Sequence, residues 1–284
     1  MWRFVLCSLW CVGPAIKGAA AERVIIGGIT VDIWKPQGTT PPTGFPMVVF
    51  SHGYLACGTQ STLLMGALAQ AGYFVLAPNH RDALCGAARA IGWLFPEQSF
   101  FRSDQWSDET YQDRVADIRA ILNAQPAIGW FEGVPVDRNR VALAGHSLGG
   151  YTVLGMAGGW PSWKDKRVKA VLAFAPFSSP FVGKGDLGHL NVPVMYQSGT
   201  LDLGGTAISG PGQAYSLSGA PKIYVEFNGA THLAWTDLSR TYLGVIAEYS
   251  IAFLDQYLKG TDRLTTLTAK PLPAQVRVVQ LRVK

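Results

Sequence analysis

Six short apolar runs, each closed by turn residues, restrict this chain more than any other feature. They are FPMVVFSHG (45–53), GYFVLAPNH (72–80), RVALAGHS (140–147), VKAVLAFAP (168–176), VPVMYQSG (192–199) and KIYVEFNG (222–229). Their apolar residues are continuous, not alternating, as in strands covered on both faces. Helical stretches separate them. STLLMGALAQAG (61–72) ends in glycine, a common helix stop. DETYQDRVADIRAILNA (108–124) begins at an acidic cap and sets Val115, Ile118, Ile121 and Leu122 on one face. The last and longest stretch is SRTYLGVIAEYSIAFLDQYLKG (239–260). Strand and helix in alternation predict an α/β fold, a mostly parallel central sheet with helices on both faces. RVIIGGITVDIWKP (23–36) predicts an edge strand or hairpin, and QVRVVQLRVK near the end suits either a late edge strand or a basic tail.

Of the 284 residues, 48% are hydrophobic and 15% charged, enough to bury a large core and too apolar for a disordered protein. No Pro/Ser-rich linker interrupts the middle, so residues 22–284 are expected to form one domain. The formal charge of +5 favours solubility and identifies no partner. No basic run with interleaved aromatics points to nucleic acid. Residues 1–21 join Arg3, the apolar FVLCSLWCVGPAI and a KGAAA run, the build of a secretory signal peptide cleaved after Ala21. The apolar part is shorter than the ~20 residues of a membrane span, so stable membrane insertion is not expected. A secreted or periplasmic monomer is. The mature chain then keeps Cys57 and Cys85, which follow neighbouring strands at one end of the sheet. A disulfide and two separate buried thiols are both open for them.

The third run leads into Gly145-His146-Ser147-Leu148-Gly149 and an apolar helix start at Tyr151, Val153 and Leu154. Strand, G-x-S-x-G, helix is a nucleophile elbow. The serine sits on a sharp turn, glycines remove colliding Cβ atoms, and free N–H groups at the helix start face the hydroxyl. A serine hydroxyl needs a base to take its proton. Of the five histidines, His232 in FNGATHLAW follows the last apolar strand and can fold back over the carboxyl edge. His52 and His80 sit at strand ends where each can order a loop. His189 lies in a loop before a strand. His146 neighbours the serine and should point away from it.

A carboxylate should orient the imidazole and stabilise its charged form. Asp202 follows VPVMYQSGTL, and the order Ser147, Asp202, His232 fits; Asp237 is the alternative. Oxyanion donors are expected at the backbone N–H of Leu148 and of Tyr54, after the His52-Gly53 turn. Nothing implies a metal or cofactor: there is no HExxH, no paired Cys/His ligand spacing and no GxxxxGK[ST].

On these residues the chain resembles the α/β-hydrolase superfamily over nearly all of 23–260. FPMVVFSHGYLACGTQSTLLMGALAQAGYFVLAPNHRDA is similar to the matching stretch of dienelactone-hydrolase-like proteins and platelet-activating-factor acetylhydrolases. VPVMYQSGTLD, KIYVEFNGATHLAW and a helix ending IAFLDQYLKG resemble cutinase-like polyester hydrolases. The resemblance implies a serine ester hydrolase with Tyr54 and Leu148 as oxyanion donors. It departs at Phe177, where those polyester hydrolases carry tryptophan, and that weakens a specific claim for aromatic polyesters. Dienelactone hydrolases proper use a cysteine nucleophile, absent here.

Only about sixteen residues separate the fourth and fifth of the runs, which leaves no room for a large cap domain and leaves the site open to bulky, lipid or polyester substrates. Residues 83–108 form an aromatic-rich insertion with Trp93, Phe95, Phe100, Phe101 and Trp106, either a wall or lid or a satellite cluster tying down the loop. Tyr54, His146, Phe177, Trp235 and Trp93 are the candidate substrate-binding residues. An acyltransferase on the same triad and a non-enzymatic hydrolase-like binding protein are the alternatives.

Overall fold

The computed structural model describes residues 20–85, 95–124, 130–184, 186–202 and 208–282. The leader expected at 1–21 lies almost wholly outside them, and so does Trp93. A hairpin of β1 (Glu22–Ile26) and β2 (Ile29–Trp34) comes first. Then follow β3 (Phe45–Ser51), α1 (Thr62–Gln70), β4 (Phe74–Pro78) and α2 (Gln112–Asn123). A two-residue β5 (Trp130–Phe131) pairs with the start of β6 (Val134–His146), which turns into α3 (Leu148–Leu154). The rest is β7 (Val168–Phe174), α4 (Ser179–Val182), β8 (Val194–Gly199), α5 (Ala214–Leu217), β9 (Lys222–Phe227), α6 (Leu243–Leu254), α7 (Leu264–Thr268) and β10 (Val276–Arg282).

All six apolar runs become neighbours in one parallel block, ordered β4-β3-β6-β7-β8-β9. Antiparallel strands close both sides: β2 and β1 beyond β4, and β10 beyond β9. The C-terminal segment is therefore an edge strand. Burial on both faces explains the continuous apolar runs. Met47 and Val49 of β3 join the core under α2 and α3, while Val48 and Phe50 join the core under α1 and α6. The described residues between β7 and β8 form only α4 and a short 3-10 turn, so no cap domain is built there.

Two boundaries differ from expectation. β6 starts six residues before its apolar run, because Val134 and Pro135 pair with β5. Helix α2 starts at Gln112, not at the acidic residues near 108. Tyr111 takes a left-handed φ of 61°, and its N–H donates to the Glu97 carboxylate at 2.6 Å. Asp108 instead accepts from the Ser162 hydroxyl at 2.5 Å, and its carbonyl accepts from Trp163 Nε1 at 2.7 Å.

Candidate active site

Ser147 stands between β6 and α3 with φ 55° and ψ −115°, a conformation that L-residues avoid and that costs of order 1–3 kcal/mol. Backbone hydrogen bonds hold it there. Its N–H donates to the Phe174 carbonyl at 3.0 Å, and its carbonyl accepts from Phe177 at 2.9 Å and Tyr151 at 3.2 Å. The turn leaves no room for side chains on either side. A Cβ on Gly145 would overlap the Gly149 carbonyl, and one on Gly149 would overlap the Ser51 carbonyl.

Asp202 and His232 come from the loops after β8 and β9, which are laced together. Thr200 N–H donates to the Phe227 carbonyl and Leu201 N–H to the Ala230 carbonyl, both at 3.0 Å. Gly229 N–H donates to the Thr200 hydroxyl at 2.8 Å. The result sets His232 Nδ1 2.9 Å from Asp202 Oδ1. A carboxylate accepts, so Nδ1 is the donor of this bond, and the neutral form of the ring keeps its lone pair on Nε2. The carboxylate is 4% exposed and the imidazole 26%. Asp237 is engaged elsewhere: its two oxygens accept the N–H groups of Thr62 and Leu63 at 3.0 Å each, capping α1.

Ser147, His232 and Tyr54 line one cleft of about 430 Å3, together with Gln60, Leu233 and Leu238. The turn bearing Tyr54 is fixed from below. The Gly53 carbonyl accepts from His52 Nδ1 at 2.7 Å, and His52 Nε2 accepts the His80 N–H at 3.1 Å. Burial pushes both the His52 and His80 imidazoles well below the usual histidine range, with the Arg114 charge acting in the same direction. Both rings are neutral and serve as loop anchors. Ser51 Oγ, His80 and Asp117 repeat a serine–histidine–carboxylate line at 2.9 Å per step. Ser51 is fully buried, however, and Arg114 donates to its hydroxyl at 3.3 Å, so this line braces the sheet end.

The candidate substrate-binding residues separate. The Tyr54 ring lines the cleft and packs edge-on against Phe100, centroids 5.4 Å apart. Phe177 does not line the cleft. It is buried against Phe100 and Trp106, at 5.1 and 4.8 Å. Trp235 is also not a wall: it is buried, donates to Gln197 Oε1 at 2.9 Å and stacks with the ring of His146. His146 borders the cleft but does not point clear of the site, since its Nε2 bonds the His232 carbonyl at 2.8 Å. In the described part of the 83–108 insertion Phe100 and Trp106 pack into an aromatic cluster, whereas Phe95 and Phe101 are exposed. Trp106 is buried and contacts Tyr111 at 5.4 Å and Tyr151 at 5.0 Å. Cys57 and Cys85 form a disulfide. Among the described residues no group of three or more His, Cys, Asp or Glu side chains is placed to hold a metal ion.

Arg114, Asp82 and Gln60 carry much of this architecture and sequence reasoning passed over them. Arg114 had a signal. It shares the helical spacing of Ile118 and Ile121 on the apolar face of α2, where a lone arginine must find a buried partner. Gln60 had none.

Residues 115–283 match the family model described as PET hydrolase-like. Residues 12–99 match the model for platelet-activating factor acetylhydrolase, isoform II. The platelet-activating factor acetylhydrolase of Cavia porcellus is 25% identical over 175 residues, which are 52% of this chain and 38% of that protein. The chain thus aligns with well under half the length of that relative.

Proposed function

This chain belongs to the PET hydrolase-like family of α/β-hydrolase carboxylic ester hydrolases, and we propose that it hydrolyses esters through an acyl-enzyme on Ser147. His232 Nε2 takes the Ser147 proton as Oγ attacks the ester carbonyl. The oxyanion that forms is held by the N–H groups of Tyr54 and Leu148. The C–O bond then breaks, and the proton passes from His232 to the leaving alcohol. Water, deprotonated by the same imidazole, releases the acid and returns the proton to Ser147. Asp202 keeps the proton on Nδ1 and stabilises the imidazolium. The observation that carries this reading is the 2.9 Å Asp202–His232 bond, made by an imidazole that lines the same cleft as a strained serine.

The substrates proposed are bulky esters, of lipid or polyester type. Leu84, Phe95, Phe101, Leu201, Leu233 and Leu238 are six of the nine exposed large apolar side chains among the described residues. All six sit on loops that follow the carboxyl ends of β4, β8 and β9, the sheet end that carries Ser147. Leu233 and Leu238 line the cleft itself, and exposed apolar side chains in its lining suit a substrate larger than the cleft. Export fits the Cys57–Cys85 disulfide, and no described helix is long and apolar enough to cross a membrane.

The test is hydrolysis of p-nitrophenyl esters from acetyl to palmitoyl by wild type and Ser147→Ala. Turnover should be lost in the variant by about 10⁴-fold or more, and the chain-length profile of the wild type should extend to long acyl groups. Activity surviving in Ser147→Ala overturns the reading.

A further inference from the structure

Gln60 and His146 join the two loops that the proposed reaction uses. The Gly53 N–H donates to Gln60 Oε1 at 2.8 Å, which fixes the oxygen end of that amide. The nitrogen end faces His146 Nδ1 at 3.0 Å and can only donate, so Nδ1 holds a lone pair. The proton of the neutral ring is then on Nε2, which faces the His232 carbonyl at 2.8 Å, a group that can only accept. Each bond in the chain has one consistent direction. Burial, helped by the neighbouring His232, pushes the His146 imidazole down to about 3, so the ring stays neutral as the chain requires. Trp235 stacks with His146 at 6.3 Å, and the His232 ring lies 4.7 Å from it.

We infer that Gln60 and His146 are positioning residues, holding the Tyr54 N–H and the His232 imidazole in register across the cleft. Gly53 directly precedes Tyr54, so anchoring the His52–Gly53 peptide to Gln60 fixes the start of the turn from which the Tyr54 N–H, one peptide further on, projects. The His232 carbonyl is the backbone of the base itself. Neither Gln60 nor His146 is asked to touch a reacting atom. A misplacement of about 1 Å at such groups costs on the order of 10²-fold in rate. The inference rests on the triad proposed above.

The test measures kcat and KM on p-nitrophenyl butyrate for Gln60→Met, His146→Leu, their double variant and His146→Gln, each folded by circular dichroism. Each of the first two should lose roughly tenfold in kcat with KM nearly unchanged. The double variant should be no worse than either single, since one chain is cut in both. His146→Gln should recover most of the rate, because an amide offers an acceptor and a donor much as the two ring nitrogens do. Losses that multiply, a raised KM with unchanged kcat, or a His146→Gln as slow as His146→Leu each overturn the inference. Where Gln60→Met or His146→Leu does not fold, His146→Gln decides alone: near-wild-type kcat supports the chain, and a loss at unchanged melting temperature refutes it. Ser147→Ala separates the two levels. Activity surviving there sinks the triad, whereas an inactive Ser147→Ala beside fully active chain variants sinks only the positioning role.

Discussion

Nη2 of Arg114 reaches both carboxylate oxygens of Asp82, at 2.8 and 2.6 Å, and both side chains are buried. This pair clamps the turn that bears Tyr54. Arg114 Nη1 donates to the His52 carbonyl at 2.7 Å, and Asp82 Oδ2 accepts the Leu55 N–H at 3.2 Å. Tyr54 lies between those two anchors. Helix α2, far from the cleft in sequence, thereby shapes the turn that would bind the oxyanion.

Removing one partner of such a pair strands a buried charge. Arg114→Met should lose about 3–5 kcal/mol in urea unfolding, and the surviving folded fraction should hydrolyse esters more slowly than wild type. Wild-type-like stability in Arg114→Met would show that the clamp contributes nothing.

Acid should act through the same pair. Burial pushes the Asp82 carboxyl up, but the Arg114 charge and hydrogen bonds outweigh it and hold the group at about 2, below its ordinary 3.8. A carboxyl depressed on folding contributes stability that is complete above its unfolded pKa and lost as pH falls through the folded one. The contribution, of order 2 kcal/mol, should therefore disappear between about pH 4 and pH 2. Urea midpoints across that range should fall more steeply for wild type than for Asp82→Asn. Parallel slopes would contradict this.

The two candidate carboxylates should separate cleanly. Asp202→Asn keeps the shape but disturbs the tautomer of His232, so kcat should fall by about 10⁴-fold with the fold intact. Asp237→Ala should cost about 1 kcal/mol by uncapping α1, and should retain far more activity than Asp202→Asn. Steady-state kinetics with thermal melts on both variants would expose a reversed order.

The Cys57–Cys85 bridge closes a loop across 28 residues and ties the strand-end turn beside the cleft to the segment after β4. Cys57→Ser with Cys85→Ser should cost about 3–4 kcal/mol. Added reductant should lower the melting temperature of wild type and leave the double variant where it is. A wild-type melt indifferent to reductant would mean that the bridge does not support the fold.

Gly149→Ala is the severest small change available at the elbow. Its Cβ meets the Ser51 backbone, which no rotamer change can relieve. A loss of about 3 kcal/mol or more is expected, read as a lowered melting temperature or insoluble expression.

Each of the six apolar runs is a strand because its residues are apolar on both faces, a property written into every short window of the chain. The elbow is legible for the same reason, since glycines at 145 and 149 around a serine state a local steric need. Val115, Ile118, Ile121 and Leu122 are buried as their spacing requires. QVRVVQLRVK suits a strand or a tail by its composition, and only pairing with the free edge of β9 makes Val276–Arg282 a strand.

What sequence determined, then, is what depends on neighbours in the chain: strands, helices, the strained turn and a short set of residues with the right chemistry. Tertiary structure decided every pairing between segments brought together from far apart. Asp202 and Asp237 carry the same side chain on neighbouring loops, yet one bonds His232 and the other caps α1. Phe177 and Trp235 are apolar enough for a cleft wall, yet both were drawn into the core beside it. Arg114 finds Asp82 across 32 positions, and Gln60 finds His146 across 86. A side chain's partner depends on which surfaces the folded sheet brings within about 3 Å, and no pattern of residues along the chain encodes that distance.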